Sequence, residues 1–75
     1  MLDRAYGVRV LVRADARGRV RTTVAGLLES REMVMTRAHA RRLIALGQVL
    51  VDGVPVRDET ACPQAGLRTI TVVPR

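Results

Sequence analysis

The chain has 75 residues, of which 13 are arginine, none is lysine and seven are acidic, for a formal net charge of +6. A domain of this size buries only about 60 % of the surface its unfolded chain exposes, and with Tyr6 as its one aromatic residue the core must be built from aliphatic side chains. The lone cysteine, Cys62, excludes an internal disulfide, and no apolar run approaches the roughly 18 residues of a membrane span.

Absence of lysine follows most simply from a genome rich in G and C, but the placement of the charge carries more information. Residues 1–42 hold ten arginines against four acidic residues, whereas residues 43–75 hold three of each. An excess confined to one half is the electrostatic footprint of a chain that meets nucleic acid or another anionic surface. The opening residues lack the basic-then-apolar pattern of a secretory leader, so a cytoplasmic location is expected.

From Tyr6 the text YGVRVLV alternates, with Val8, Val10 and Val12 on one face and Arg9, Leu11 and Arg13 on the other, which predicts a strand with one buried face. Asp15 and Gly18 supply turn chemistry, and Val20, Thr22 and Val24 form a second alternating run that would pair back as a hairpin. Arg13, Arg17, Arg19 and Arg21 would crowd around it. Thr22 or Thr23 can cap a helix over about Val24 to Glu32, with Val24, Leu27 and Leu28 at helical spacing and Gly26 weakening it slightly.

A second helix is predicted after Thr36, over RAHARRLIAL, ending at Gly47, where a left-handed backbone suits glycine. Ala40, Leu43 and Ile44 form its apolar stripe. Arg37 and Arg41 fall about 40° apart on one flank of that stripe, Arg42 points away from the core, and His39 lies on the opposite flank. Val49 and Val51, then Asp52-Gly53, then Val54 and Val56 make a hairpin whose two turn residues take positive φ. Pro55 places its strand at an edge. Pro63 to Gly66 reads as loop and Arg68 to Val73 as a last strand with Ile70 and Val72 inward.

No constellation supports catalysis. His39 and Cys62 fall short of a zinc site, which needs four ligands at short paired spacings, and a lone cysteine at such a position is ordinarily a small core residue. Neither a G-x-x-x-x-G-K loop nor a G-x-G-x-x-G turn is present. The adjacent Asp58-Glu59 pair reads as a turn cap. No enzyme activity, metal or cofactor is expected.

TRAHARRLIALGQVLVDGVPV resembles the core of the alpha-L RNA-binding motif, the RNA-binding domain of the ribosomal protein S-four type. Members of that family read Ser-Arg-Ser-x-Ala-Arg-x-Leu-Ile, a spacer, Gly-x-Val-x-Val-Asn-Gly and then a valine-bearing strand. Here Thr36 stands at the first serine, Arg37 at its arginine, and Ala40, Arg41, Leu43 and Ile44 at the helix pattern. Gly47, Val49, Val51, Asp52 and Gly53 follow without insertion, Asp52 replacing the usual asparagine. The family's closing Gly-Asp-x-Ile-x-Val is here Gly66-Leu67-Arg68-Thr69-Ile70-Thr71-Val72, one residue longer and without the aspartate. The resemblance covers about residues 24–72, and Met1 to Arg21 fall outside it.

What the resemblance implies is an α+β fold of two helices and a small antiparallel sheet. An added N-terminal strand or hairpin over residues 1–21 joins a binding domain over residues 22–75 in one compact unit. It also implies a non-catalytic protein, ribosomal or ribosome-associated, that docks on structured RNA such as rRNA or tRNA. Contacts are expected from Thr36, Arg37, Arg41, Arg42 and Gln48, with Arg13, Arg19, Arg21, Arg31 and His39 as additional positions. Guanidinium groups suit phosphate bidentately, and one aromatic residue leaves no platform for stacking single-stranded bases, which favours folded RNA. The ordinary reading of Arg37, Arg41 and Arg42 alone is a solvated helix face; the charge asymmetry and the motif together outweigh it. Two alternatives remain. One is a structural or assembly subunit of a large complex such as a virion, with the N-terminal strand adding to a neighbour's sheet. The weaker is a helix-turn-helix that reads DNA, which gives no role to the Asp-Gly hairpin.

Overall fold

The computed structural model describes residues 6–74; Met1 to Ala5, where the expected N-terminal extension begins, and Arg75 lie outside the described residues. The alternating valine run is β1 (Tyr6–Val12), followed by α1 (Val24–Ser30) and α2 (Arg37–Ala45). Then come β2 (Val49–Val51), β3 (Val54–Pro55) and β4 (Gly66–Val72). The four strands form one antiparallel sheet in the order β1-β4-β2-β3. This is the α+β architecture the motif implies, with an N-terminal strand added.

Period-two and period-3.6 patterns meet in one core. Val10 and Val12 of β1, Val49 of β2, and Ile70 and Val72 of β4 face Val24, Ala25, Leu27 and Leu28 of α1 and Ala40 and Ile44 of α2. Leu28, Ala40, Val49 and Ile70 are completely buried. No aromatic ring contributes, so the core depends on close aliphatic packing, and each truncation leaves a void that few neighbours can fill.

The expected hairpin from Val12 back through Val20 to Val24 does not form. β1 pairs instead with β4, seven residue pairs running from Tyr6 opposite Val72 to Val12 opposite Gly66. Two local interactions divert the second run. The Asp15 carboxylate accepts the N–H groups of Arg17 and Arg19, both at 2.9 Å, and Asp15 N–H donates to the Arg19 carbonyl at 2.8 Å, closing a loop rather than a two-stranded turn. Thr23 then accepts the Gly26 N–H at 3.0 Å, capping α1, so the third residue of the alternation becomes the first residue of a helix.

At its other end α1 stops two residues before the expected Glu32. Glu32 itself takes a left-handed φ of 58°, and Met33 N–H returns to the Leu28 carbonyl at 2.9 Å. α2 follows its expectation closely: Thr36 accepts the His39 N–H at 3.1 Å, and Gly47 reverses the chain with φ 74°. The β2–β3 turn has positive φ at Asp52 (50°) and Gly53 (83°), as an Asp-Gly hairpin requires, and Pro55 lies in the edge strand β3. β4 begins at Gly66, two residues earlier than the pattern indicated.

Cys62 is exposed rather than a core residue, and Pro63 beside it is buried in its place. The ring of Pro63 has no N–H to satisfy, which suits it to that interior position. Asp58 caps its turn as expected, accepting the N–H and the hydroxyl of Thr60 at 2.9 and 2.8 Å.

Ile70→Ala removes a fully buried side chain from the central strand and is expected to lower stability by about 2 to 5 kcal/mol. For a domain this small that is enough to unfold a large fraction of the chain, measurable by urea titration. A second expectation concerns pH. The Thr69 backbone N–H and then the Arg68 guanidinium hold the Asp52 carboxyl below its ordinary range, and the Thr60 N–H and hydroxyl do the same for Asp58. A depressed folded-state pKa means the unfolded chain takes up protons first as pH falls. The stability from both groups is therefore complete above about pH 4 and is lost as pH drops through the lower folded values. Asp52→Asn should remove part of that acid-side slope in thermal melts, leaving the part due to Asp58.

Candidate nucleic-acid interface

The exposed surface of α2 is built from its first residue. Thr36 stands in extended backbone with its hydroxyl turned to the His39 N–H, so its side chain orders the first turn and thereby sets where Arg37 leaves the helix. Arg37 crosses to α1: its Nε donates to Glu29 Oε1 at 3.0 Å. Its Nη2 lies 3.6 Å from where a Cβ on Gly26 would stand. A Cβ there would meet this guanidinium in ordinary van der Waals contact, so its approach to α1 does not require glycine at position 26. About half of the Arg37 side chain remains exposed.

Arg41, one turn further on, approaches Glu59 with Nε 3.9 Å from Oε1, a loose pair open to solvent on both sides. Exposed pairs of this kind contribute about 0 to 1 kcal/mol, so a phosphate oxygen can displace the carboxylate at little cost. Arg42 is exposed in the last turn of α2 and makes no ion pair among the described residues; its charge there complements the carbonyl end of the helix. His39 is exposed on the first turn, and Arg31 is exposed at the C-cap of α1, its N–H bonded to the Leu27 carbonyl at 2.9 Å.

Gln48 is placed differently from the arginines. Its Nε2 donates to the Val73 carbonyl at 2.7 Å while Val73 N–H donates to the Gln48 carbonyl at 2.8 Å, so this half-buried amide joins the entrance of β2 to the exit of β4. Arg13, Arg19 and Arg21 belong not to α2 but to the loop between β1 and α1. The structure thus brings Thr36, Arg37 and Arg41 together on one helix and leaves the loop arginines as a separate group.

The carboxylates that hold the arginines went unseen in the sequence. Glu29 stands eight residues before Arg37, a separation with no meaning until α1 and α2 pack. Glu59 reads as half of a turn cap. Among the described residues no group of three or more His, Cys, Asp or Glu side chains is placed to hold a metal ion, and no helix is long and apolar enough to cross a membrane.

Two short helices, a Thr-Arg start to the second, and an Asp-Gly hairpin on a small sheet define a class of RNA-binding domain. Residues 26–59, spanning most of α1, all of α2 and the β2–β3 hairpin, match the family model of the S4 domain, consistent with an S4-type RNA-binding domain. β1, the loop after it and β4 lie outside the match. No curated protein and no solved structure gives a significant match to the chain.

Thr36→Ala removes the acceptor for the His39 N–H and is expected to cost about 1 kcal/mol of stability, whereas Thr36→Ser keeps the oxygen and should be nearly neutral. Thermal unfolding of the two variants checks that the hydroxyl acts as a cap.

Proposed function

We propose that the protein is a non-catalytic RNA-binding module that docks on folded RNA, ribosomal or ribosome-associated, in the cytoplasm. The observation that carries this reading is the pairing of a capped α2 with two arginines on one flank. Arg37 is oriented by a hydrogen bond to the Glu29 carboxylate and Arg41 lies loosely beside Glu59, and a phosphate can replace either carboxylate. Arg37 is thereby already in position when the anion arrives, so little of its side-chain freedom is lost on binding.

Arg37 and Arg41 form the centre of the surface, with Thr36 fixing the start of the helix and Arg42, His39 and Arg31 at its margins. Gln48 acts on the strand ends beside that surface. The binding unit is residues 22–75, and residues 1–21 are an extension of it. Phosphate contacts of this type position a protein on its target without reading sequence. A chain with Tyr6 as its only aromatic residue recognises RNA shape in preference to splayed bases.

A second reading has one observation in its favour. Leu11 of β1 and Leu67 of β4 stand opposite each other, 50 % and 59 % exposed, on the sheet face turned away from the core. An apolar pair there suits a protein neighbour, as in an assembly subunit. The native complex isolated without nucleic acid would favour that reading.

The test is binding of the full chain to an RNA hairpin with a duplex stem, measured across a range of salt. Log affinity should fall linearly with log salt by about 0.9 for each phosphate neutralised on the duplex. Arg37→Ala with Arg41→Ala should lower the affinity and make the slope shallower by that amount for each phosphate no longer neutralised. Unchanged affinity and slope would remove α2 as the binding surface.

A further inference from the structure

The loop between β1 and α1 is outside the S4 match, and its construction is that of a second anion site. Four of its residues, Arg13, Arg17, Arg19 and Arg21, are exposed arginines, and none of them makes an ion pair among the described residues. Asp15 is the loop's one acidic residue. Its Oδ1 already accepts two backbone N–H groups, from Arg17 and Arg19, so the carboxylate orders the loop rather than neutralising a guanidinium. Gly18, at φ 79°, completes the reversal with its N–H on the Asp15 carbonyl at 2.9 Å.

The loop is also anchored. Val20 packs against the core between exposed Arg19 and exposed Arg21, and Val24 N–H, just past the Thr23 cap, donates to the Ala61 carbonyl at 2.9 Å. Arg17, Arg19 and Arg21 thereby line one open depression of about 380 Å3, with Asp15 and Ala16 as its remaining walls. Three guanidinium groups around one depression repel each other within a Debye length of about 8 Å at physiological salt. Asp15, its Oδ1 engaged by backbone N–H groups, is the single carboxylate among the lining residues, against three guanidinium groups. A polyphosphate backbone supplies the remaining counter-charge, through the bidentate geometry that arginine favours.

The loop leads directly to the proposed surface. Arg21 is two residues before Thr23, the hydroxyl of Thr23 lies 3.3 Å from where a Gly26 Cβ would stand, and the Arg37 guanidinium approaches that same point. The first turn of α1 alone separates the loop from Arg37. We propose that Arg17, Arg19 and Arg21 form a second phosphate-binding element that grips the backbone of the same RNA, so that the chain holds its target at two adjoining points. This rests on the RNA-docking reading of α2 above.

The experiment compares the full chain with Arg17→Gln, Arg19→Gln, Arg21→Gln combined, and with the Arg37→Ala, Arg41→Ala pair, on one RNA hairpin at several salt concentrations. Circular dichroism melts verify that each variant folds. The triple variant should bind at least about tenfold more weakly, with a salt slope shallower by about 0.9 for every phosphate the loop no longer neutralises. Asp15→Asn, which keeps the acceptor oxygen and removes the negative charge, should bind as well as or better than the parent. A control carrying Arg9→Gln and Arg57→Gln should lose less per charge removed.

If the triple variant binds like the parent while the α2 pair weakens binding, the loop is not an RNA element and the α2 reading survives. If neither variant changes binding, both readings fall. If the control loses as much per charge as the triple, the loop contributes only its share of net charge, and the proposal of a built element is overturned.

Discussion

β4 is the strand on which the remaining structure depends. It is hydrogen-bonded along both edges, to β1 on one side and β2 on the other, and Ile70 at its middle faces Val8 and Val51 in register from the two sides. Because side chains alternate with period two, this single register decides that Ile70 and Val72 point to the helices and Leu67 and Thr69 away from them. Both helices then pack on the face so formed. The loop after β1 and the start of α2 acquire their positions from the same pairing.

What holds that register is a tie between the hairpin turn and β4. Asp52 donates its N–H to the Thr69 carbonyl at 2.8 Å and accepts the Thr69 N–H on its carboxylate at 2.9 Å. The same carboxylate pairs with Arg68 at 3.0 Å, and Arg68 in turn donates to the carbonyls of Gln64 and Ala65, drawing the preceding loop onto the strand. Two departures from the family's pattern therefore meet in one contact. Aspartate stands where the turn usually carries asparagine, and, counting back from Ile70, arginine stands where the closing strand usually carries aspartate. Each departure in isolation would leave a charge at the rim of the sheet; together they form an ion pair that fastens the same two elements.

The parts of this fold legible in the sequence are those whose causes are local. A cap, an apolar stripe and a glycine stop define α2 within twelve residues, and Asp52-Gly53 between valines defines its hairpin. β1 was legible as a strand but not in its partner, because pairing with β4 joins residues more than fifty positions apart and leaves no local mark. The run from Val20 to Val24 shows the converse failure. Its alternation is genuine, but a threonine cap and an aspartate that binds backbone N–H groups are stronger local influences than period-two hydrophobicity in so short a stretch. At the candidate surface the arginines were legible as residue types at helical spacing, whereas their partners Glu29 and Glu59 became partners only through tertiary packing.

The difference between tethered and untethered arginines has a consequence for how such a surface would meet a polyanion. Arg37 is held by a hydrogen bond to Glu29 and Arg41 lies loosely beside Glu59, which sets a carboxylate competitor beside each, so an incoming phosphate must displace Glu29 or Glu59 to take its place. Arg17, Arg19 and Arg21 make no ion pair among the described residues and share a single carboxylate, Asp15, yet each loses rotamer freedom worth up to about 2 kcal/mol when it is immobilised. The loop reduces a different component of the cost: Asp15 and Gly18 fix the backbone in advance, so only side chains remain to be ordered. One region thus preorganises a side chain, Arg37, at the expense of local charge, and the other preorganises backbone while leaving most of its charge unopposed. A polyanion spanning both would meet the larger excess of positive charge first at the loop, and the arginines of α2 once their carboxylates have been displaced.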